Sequence, residues 1–126
     1  MDRELLFRGQ PIGKGGIWMV GIGAYKTHTA EHLVLNAKGD CVEVVHLCQY
    51  TGLKDKNGKK IFEGDVVIIG EKLKAKVIYY DGAFRMQSEF SPTPIDTTDM
   101  GYMMREFSVR VIGNIHDNPE LIKKSV

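Results

Sequence analysis

The chain has 126 residues, 17 basic and 16 acidic, a formal net charge of +1. No global field therefore draws it to nucleic acid, an anionic membrane or acidic substrates, and any such partner needs a local patch. Hydrophobic residues at 43% and charged residues at 26% argue against disorder, and the length suits a single domain over residues 1–126 with one core.

Residues 5–8 and 18–25 read as short strands separated by Gly9-Gln10-Pro11 and the glycine-rich 13–16, a density of glycine that favours turns over helix. The weakly polar run 15–25 is far shorter than the roughly 20 residues of a membrane helix and lies too far inside for a signal peptide. A cytoplasmic protein with no membrane partner is expected. Residues 26–36 are open between helix and strand. Residues 41–50 form a better strand, with Val42, Val44, His46 and Cys48 on one face and Glu43, Val45, Leu47 and Gln49 on the other. Both faces are mixed, so the pattern does not say which is buried. Cys41 and Cys48 would point to opposite faces of a regular strand, and reduced, buried thiols are expected.

The central block is QYTGLKDKNGKKIFEGDVV, over 49–67. Asn57-Gly58 favours the two positive φ values of a type I′ hairpin, and Glu63-Gly64-Asp65 leads into Val66, Val67, Ile68 and Ile69, whose β-branched side chains suit a strand. Residues 71–80 alternate, Leu73, Ala75, Val77 and Tyr79 against Lys72, Lys74, Lys76 and Ile78, which is a half-buried strand with a lysine face. Asp81-Gly82 signals a second hairpin, with 83–87 returning. Residues 88–101 lose periodicity and carry Pro92 and Pro94, a long surface loop. Residues 102–107 are ambiguous, 108–115 resume as strand, and Asn118-Pro119-Glu120 supplies a cap, a first-turn proline and an acid for a short helix, with Lys123 and Lys124 at its end. The fold class is all-β, or mainly β with a short C-terminal helix, as a small antiparallel barrel or sandwich.

The 49–67 block, Asp81-Gly82-Ala83-Phe84 and the run VIGNIHDNPEL over 111–121 together resemble the YopX family of phage and prophage proteins. Phe7-Arg8-Gly9 and GIWMVG over 16–21 are similar to the family's opening, with gaps at 24–47 and 88–108. The resemblance implies a largely β fold from bacterial mobile elements and carries over no activity, cofactor or catalytic residue. Gly52, Asn57, Gly58, Gly64, Asp65, Gly113 and Asn114 then read as shaping residues, and individual function is expected in the two gaps.

His28-Thr29-Ala30-Glu31-His32 has the H-x-x-E-H form in which two histidines hold zinc and the glutamate activates water. That chemistry needs a helix and a third ligand, so a solvated turn or helix face is preferred; a metal-dependent hydrolase using His28, Glu31 and His32 is the alternative of a different class. Lys54, Lys56, Lys59 and Lys60 with Lys72, Lys74 and Lys76 form a candidate basic surface, with Tyr50, Tyr79 and Tyr80 available for stacking. Because Asp55, Glu63, Asp65 and Glu71 interleave with them, a solvated hairpin and a lysine-protected edge strand are preferred. Asp55, Asp65 and Asp81 sit in turns, where carboxylates accept backbone N–H groups, so capping is expected over catalysis. Trp18, Phe62, Phe84, Phe90 and Phe107 are read as core. Tyr102 and Met103, with Met100 and Met104, are a candidate partner surface, although burial is the better reading. The expected function is a non-enzymatic interaction module acting on a host or phage macromolecule, with no cofactor. A protein partner is favoured over nucleic acid, and self-association is admitted through strand edges.

Overall fold

Stiff β-branched side chains suit a pleated surface, and residues that tolerate positive φ reverse it; the chain accordingly folds as short antiparallel strands. A computed structural model of the protein describes residues 4–13, 17–26, 32–91 and 97–122. They divide into two compact units, Met1–Gly52 and Leu53–Val126. Among the described residues the fold is mainly β, with two antiparallel sheets and no closed barrel. Among the described residues no helix is long and apolar enough to cross a membrane.

The first unit holds β1 (Phe7–Pro11), β2 (Met19–Gly21), β3 (Gly23–Tyr25), β4 (Leu33–Leu35) and β5 (Cys41–Lys54), whose last two residues belong to the second unit. Their order is β2-β1-β5-β4-β3. Only Ile22 separates β2 from β3, and its N–H donates to the Leu35 carbonyl at 2.8 Å. One bent ribbon thus supplies both ends of the path. Gly21 sits at the bend, where a Cβ would lie 2.9 Å from the Leu35 carbonyl carbon.

β5 is not regular. Arg8 pairs with Cys48 but Gln10 with Val45, so β5 carries one extra residue, and His46 takes φ +56 there. This bulge shifts the alternation by one. Cys48 and Val45 share the side of Arg8 and Gln10, whereas Val44 lies on the other side, against Gly9. Hence the mixed faces in sequence. Both cysteines are free thiols, but only Cys48 is buried; Cys41 is exposed, contrary to expectation. Trp18 is half-buried with the Arg8 guanidinium 4.4 Å over its ring.

The second unit contains β6 (Lys60–Phe62), β7 (Asp65–Ile69), β8 (Leu73–Tyr80), β9 (Ala83–Ser88), β10 (Thr98–Asp99), α1 (Met100–Glu106) and β11 (Val109–Asn114). β6 pairs with β5, and the others form a sheet in the order β10-β9-β8-β7-β11. Val67, Ile69, Ala75, Val77, Met86 and Val109 join Ile61 and the α1 side chains Met100 and Met103 in one core. Ala75 pairs with Val67 and Lys74 with Ile68, so β8 alternates as its sequence predicts. Its position differs: β8 is the middle strand of its sheet, bonded on both sides, so its lysines do not protect an edge.

The two hairpin signals resolve differently. Asp81 and Gly82 have φ +54 and +80, the two positive values of a type I′ turn. At Asn57-Gly58 only Gly58 is positive, at +82. The Gly58 N–H donates to the Asp55 carbonyl at 2.9 Å, a type I-like reversal followed by a left-handed glycine instead of type I′. The expected C-terminal helix is a single 3-10 turn, Pro119–Leu121, with Pro119 in its first turn. Asn118 provides no side-chain cap to it; its Oδ1 accepts the Asn114 N–H at 3.3 Å instead.

Candidate functional site

Of the aspartates that resembled catalytic acids, two hold backbone. Asp55 Oδ1 accepts the N–H groups of Asn57 and Lys59, and Oδ2 accepts that of Val111, each at 2.9 Å. Burial opposes ionisation of this carboxyl, but the three N–H donors and the Lys59 charge together outweigh it and hold its pKa below the usual aspartate value. Asp65, 1% exposed, accepts the Phe62 N–H at 2.8 Å. Asp81 is exposed and acts through its backbone, not as a side-chain cap.

Gly64, at φ +89, donates to the Val77 carbonyl and accepts from the Ile115 N–H, both at 2.8 Å. Asn114 Oδ1 accepts from His116 and Asp117 N–H at 3.0 and 2.8 Å, while Nδ2 donates to Asp117 Oδ2 at 3.1 Å. A Cβ on Gly113 would lie 2.6 Å from Asn118 Oδ1. Gly52, at φ +91, falls within β5. These residues shape turns and a strand.

The lysines lie differently. Lys54, Lys56, Lys59 and Lys72 are exposed, and Lys60, Lys74 and Lys76 are half-buried. The Lys56 N–H donates to the Val109 carbonyl at 3.0 Å, which seats the hairpin along β11. Beside it opens a cleft of about 580 Å³ lined by Lys56, Gly70, Glu71, Ser108 and Arg110. Arg110 pairs with Ile68, which pairs with Lys74, so these three form one cross-strand row. The sequence did not single out Arg110 or Ser108, and Glu71 entered only as an acid interleaved with the lysines. Arg110 was open to discovery, since it stands between the apolar Val109 and Val111 of an alternating strand.

The remaining candidates separate. Met103 and Met100 are core residues, 9% and 2% exposed, and only Tyr102 of that group is exposed. The methionines therefore do not form a surface. Phe62 is buried and Phe84 packs against the core, but Phe90 and Phe107 are exposed, against expectation. Tyr79 meets Phe84 edge to face at 5.1 Å. His28 and Glu31 lie outside the described residues. His32 is half-buried, and its carbonyl accepts the Val44 N–H at 3.0 Å. Among the described residues no three His, Cys, Asp or Glu side chains converge as metal ligands.

The positive-φ glycines Gly52, Gly58, Gly64 and Gly82, the Asp55 and Asp65 turns and the Asn114 loop all fall within residues 21–123, the span matched by a family model described as YopX protein. The chain belongs to the YopX family. The YopX match passes through 24–47 and 88–108, which sequence reading left as gaps, and it begins beyond Phe7-Arg8-Gly9. The crystal structure of protein EF1440 from Enterococcus faecalis is similar to this YopX chain at 31% identity, covering 97% of this chain and 76% of that one, with a TM-score of 0.46. No curated protein matches.

Proposed function

We propose that this YopX protein is a non-enzymatic binding module that engages an anionic host or phage macromolecule through the lysine surface of its second unit. The observation that carries the reading is the use of Asp55 and Asp65. In sequence they interleave with Lys54, Lys56, Lys59, Lys60, Lys72, Lys74 and Lys76 and offset part of their charge. In the fold both are turned onto backbone N–H groups and away from solvent, with half-buried Glu63 and exposed Glu71 the more accessible acids; Asp55 keeps its charge, and the seven lysines still exceed the four acids of residues 54–76 by three positive charges. A nearly neutral chain thus presents a locally basic surface, the arrangement that attracts a polyanion without a large net charge.

The test is retention on immobilised heparin along a salt gradient, comparing the wild-type chain with a variant carrying Lys54→Gln, Lys56→Gln, Lys59→Gln and Lys72→Gln. These side chains are exposed, so folding is retained. The variant is expected to elute at distinctly lower salt. A wild-type chain that passes unretained at low salt, or a variant that elutes with it, overturns the reading.

A further inference from the structure

We infer that Asn57 is a deamidation site gated by Asp55: the 55–59 turn shields it while closed, and opening of the turn lets it convert to aspartate or isoaspartate.

The reaction is an attack of the Gly58 backbone nitrogen on Asn57 Cγ. The N–Cγ bond forms and the bond from Cγ to the side-chain nitrogen breaks. That nitrogen leaves as ammonia, and the proton given up by the Gly58 amide returns to it through solvent. Water then opens the cyclic imide at either carbonyl, so the net change consumes water and the asparagine and yields ammonia and an aspartate or isoaspartate. Of the chain's four asparagines only Asn57 precedes a glycine, whose missing side chain leaves the attacking nitrogen unhindered. A Cβ at Gly58 would meet nothing within 4 Å, and Asn57 is exposed to water.

The closed turn withholds the movement that the attack needs. Gly58 N–H donates to the Asp55 carbonyl, and Asn57 N–H donates to Asp55 Oδ1, both at 2.9 Å. The peptide groups on both sides of Asn57 are thereby held. The Gly58 nitrogen neither gives its proton to solvent nor turns onto Cγ until these bonds open.

The turn does not need this asparagine. Residues 36–40 form the same reversal: Asn36 Oδ1 accepts the Lys38 and Asp40 N–H groups at 3.0 and 2.9 Å, and Gly39, at φ +91, donates to the Asn36 carbonyl at 3.1 Å. There Lys38 occupies the place of Asn57. Among the described residues the Asn57 side chain itself makes no hydrogen bond. Conversion therefore turns a dispensable amide into a negative charge between Lys56 and Lys59 in sequence. Isoaspartate also lengthens the main chain by one carbon, which spoils the spacing by which Asp55 Oδ1 reaches residues 57 and 59.

The test is incubation of the full chain at mildly alkaline pH, followed by peptide mass mapping at Asn57. The arms are folded wild type, urea-denatured wild type, Asp55→Ala and Asp65→Ala. The denatured chain is expected to convert fastest and the folded wild type slowest, with Asp55→Ala about tenfold faster than the folded wild type. Asp65→Ala, which lowers stability outside this turn, should stay within about twofold of the wild type. Asp55→Asn, which keeps one side-chain oxygen, should fall between wild type and Asp55→Ala, and it carries the comparison if Asp55→Ala does not fold. Asn57→Lys should melt with the wild type and show no conversion there. A folded wild type as fast as the denatured chain, or Asp65→Ala as fast as the Asp55 variants, overturns the gate. A denatured chain in which another asparagine converts before Asn57 overturns the site. On heparin the converted fraction should elute at lower salt than the unconverted one; equal elution with retention intact overturns the charge effect, whereas absence of retention strikes the polyanion reading and leaves the deamidation site standing.

Discussion

Asp55 Oδ2 accepts the Val111 N–H at 2.9 Å, joining residues 56 positions apart. β11 is the last strand of its sheet, and an edge strand presents unpaired N–H and C=O groups. At this edge the Asp55 carboxylate satisfies the N–H of Val111, and the Lys56 N–H satisfies the carbonyl of Val109. The turn does part of the work of a further strand, and it holds Lys56 beside Arg110 as it does so.

Asp55→Ala removes the acceptor of three backbone N–H groups, and a bond to a charged partner is among the stronger ones. The variant should lose about 2 kcal/mol or more of unfolding free energy in urea titrations at neutral pH. Asp55→Asn should fall between it and the wild type, since one amide oxygen survives while the amide nitrogen cannot accept.

The same carboxyl sets an acid dependence. Its folded pKa lies below the unfolded value near 3.8, so its contribution is fully present above the unfolded pKa and is lost as pH falls through the folded one. Stability measured from neutral pH into that acid range should decline more steeply for the wild type than for Asp55→Asn. Parallel declines would remove Asp55 from the account.

Asp65→Ala should lower stability by about 1–3 kcal/mol, because the buried Phe62 N–H loses its acceptor. Thermal melting is the readout, alongside heparin retention. A variant of unchanged stability that no longer binds would show a binding role for Asp65 in place of the structural one.

His46 is a non-glycine residue at φ +56 on an exposed bulge. His46→Val should destabilise by about 1–2 kcal/mol, since a β-branched side chain fits that conformation worst. His46→Gly should be neutral or stabilising, as the relieved strain offsets the added freedom of the unfolded chain. Chemical denaturation of the pair separates a conformational effect from loss of the imidazole.

A Cβ on Gly113 would lie 2.7 Å from Leu121 Cδ1 and 2.6 Å from Asn118 Oδ1, so both side-chain ends must turn aside, and Asn118 must give up its bond to the Asn114 N–H to do so. Gly113→Ala should therefore cost about 1–3 kcal/mol, read as a lowered melting temperature. Asn118→Ala combined with it should recover part of the loss, by clearing one of the two obstacles.

Local signals were legible wherever the determinant lay within a few residues. Asp81-Gly82 specifies its own turn because both residues tolerate positive φ, and β8 shows its period because one face packs on the core. Asn57-Gly58 misled for a physical reason: Asp55 competes for the turn amides and selects another reversal. β5 misled because a bulge at His46 moves the alternation by one residue partway along the strand.

Composition, turn chemistry and periodicity determined the mainly β class and the lysine content of residues 54–76, and the motifs over 49–67 and 111–121 carried the resemblance to the YopX family, since each depends on neighbours in sequence. Tertiary structure alone decided that β8 is central, that the methionines are core, and that Asp55 and Asp65 face inward. The candidate site belongs to this second group. Lys56 and Arg110 meet at one cleft because a carboxylate and a peptide N–H from the 55–59 turn bond to the edge of β11, and no pattern within either segment encodes a hydrogen bond to the other.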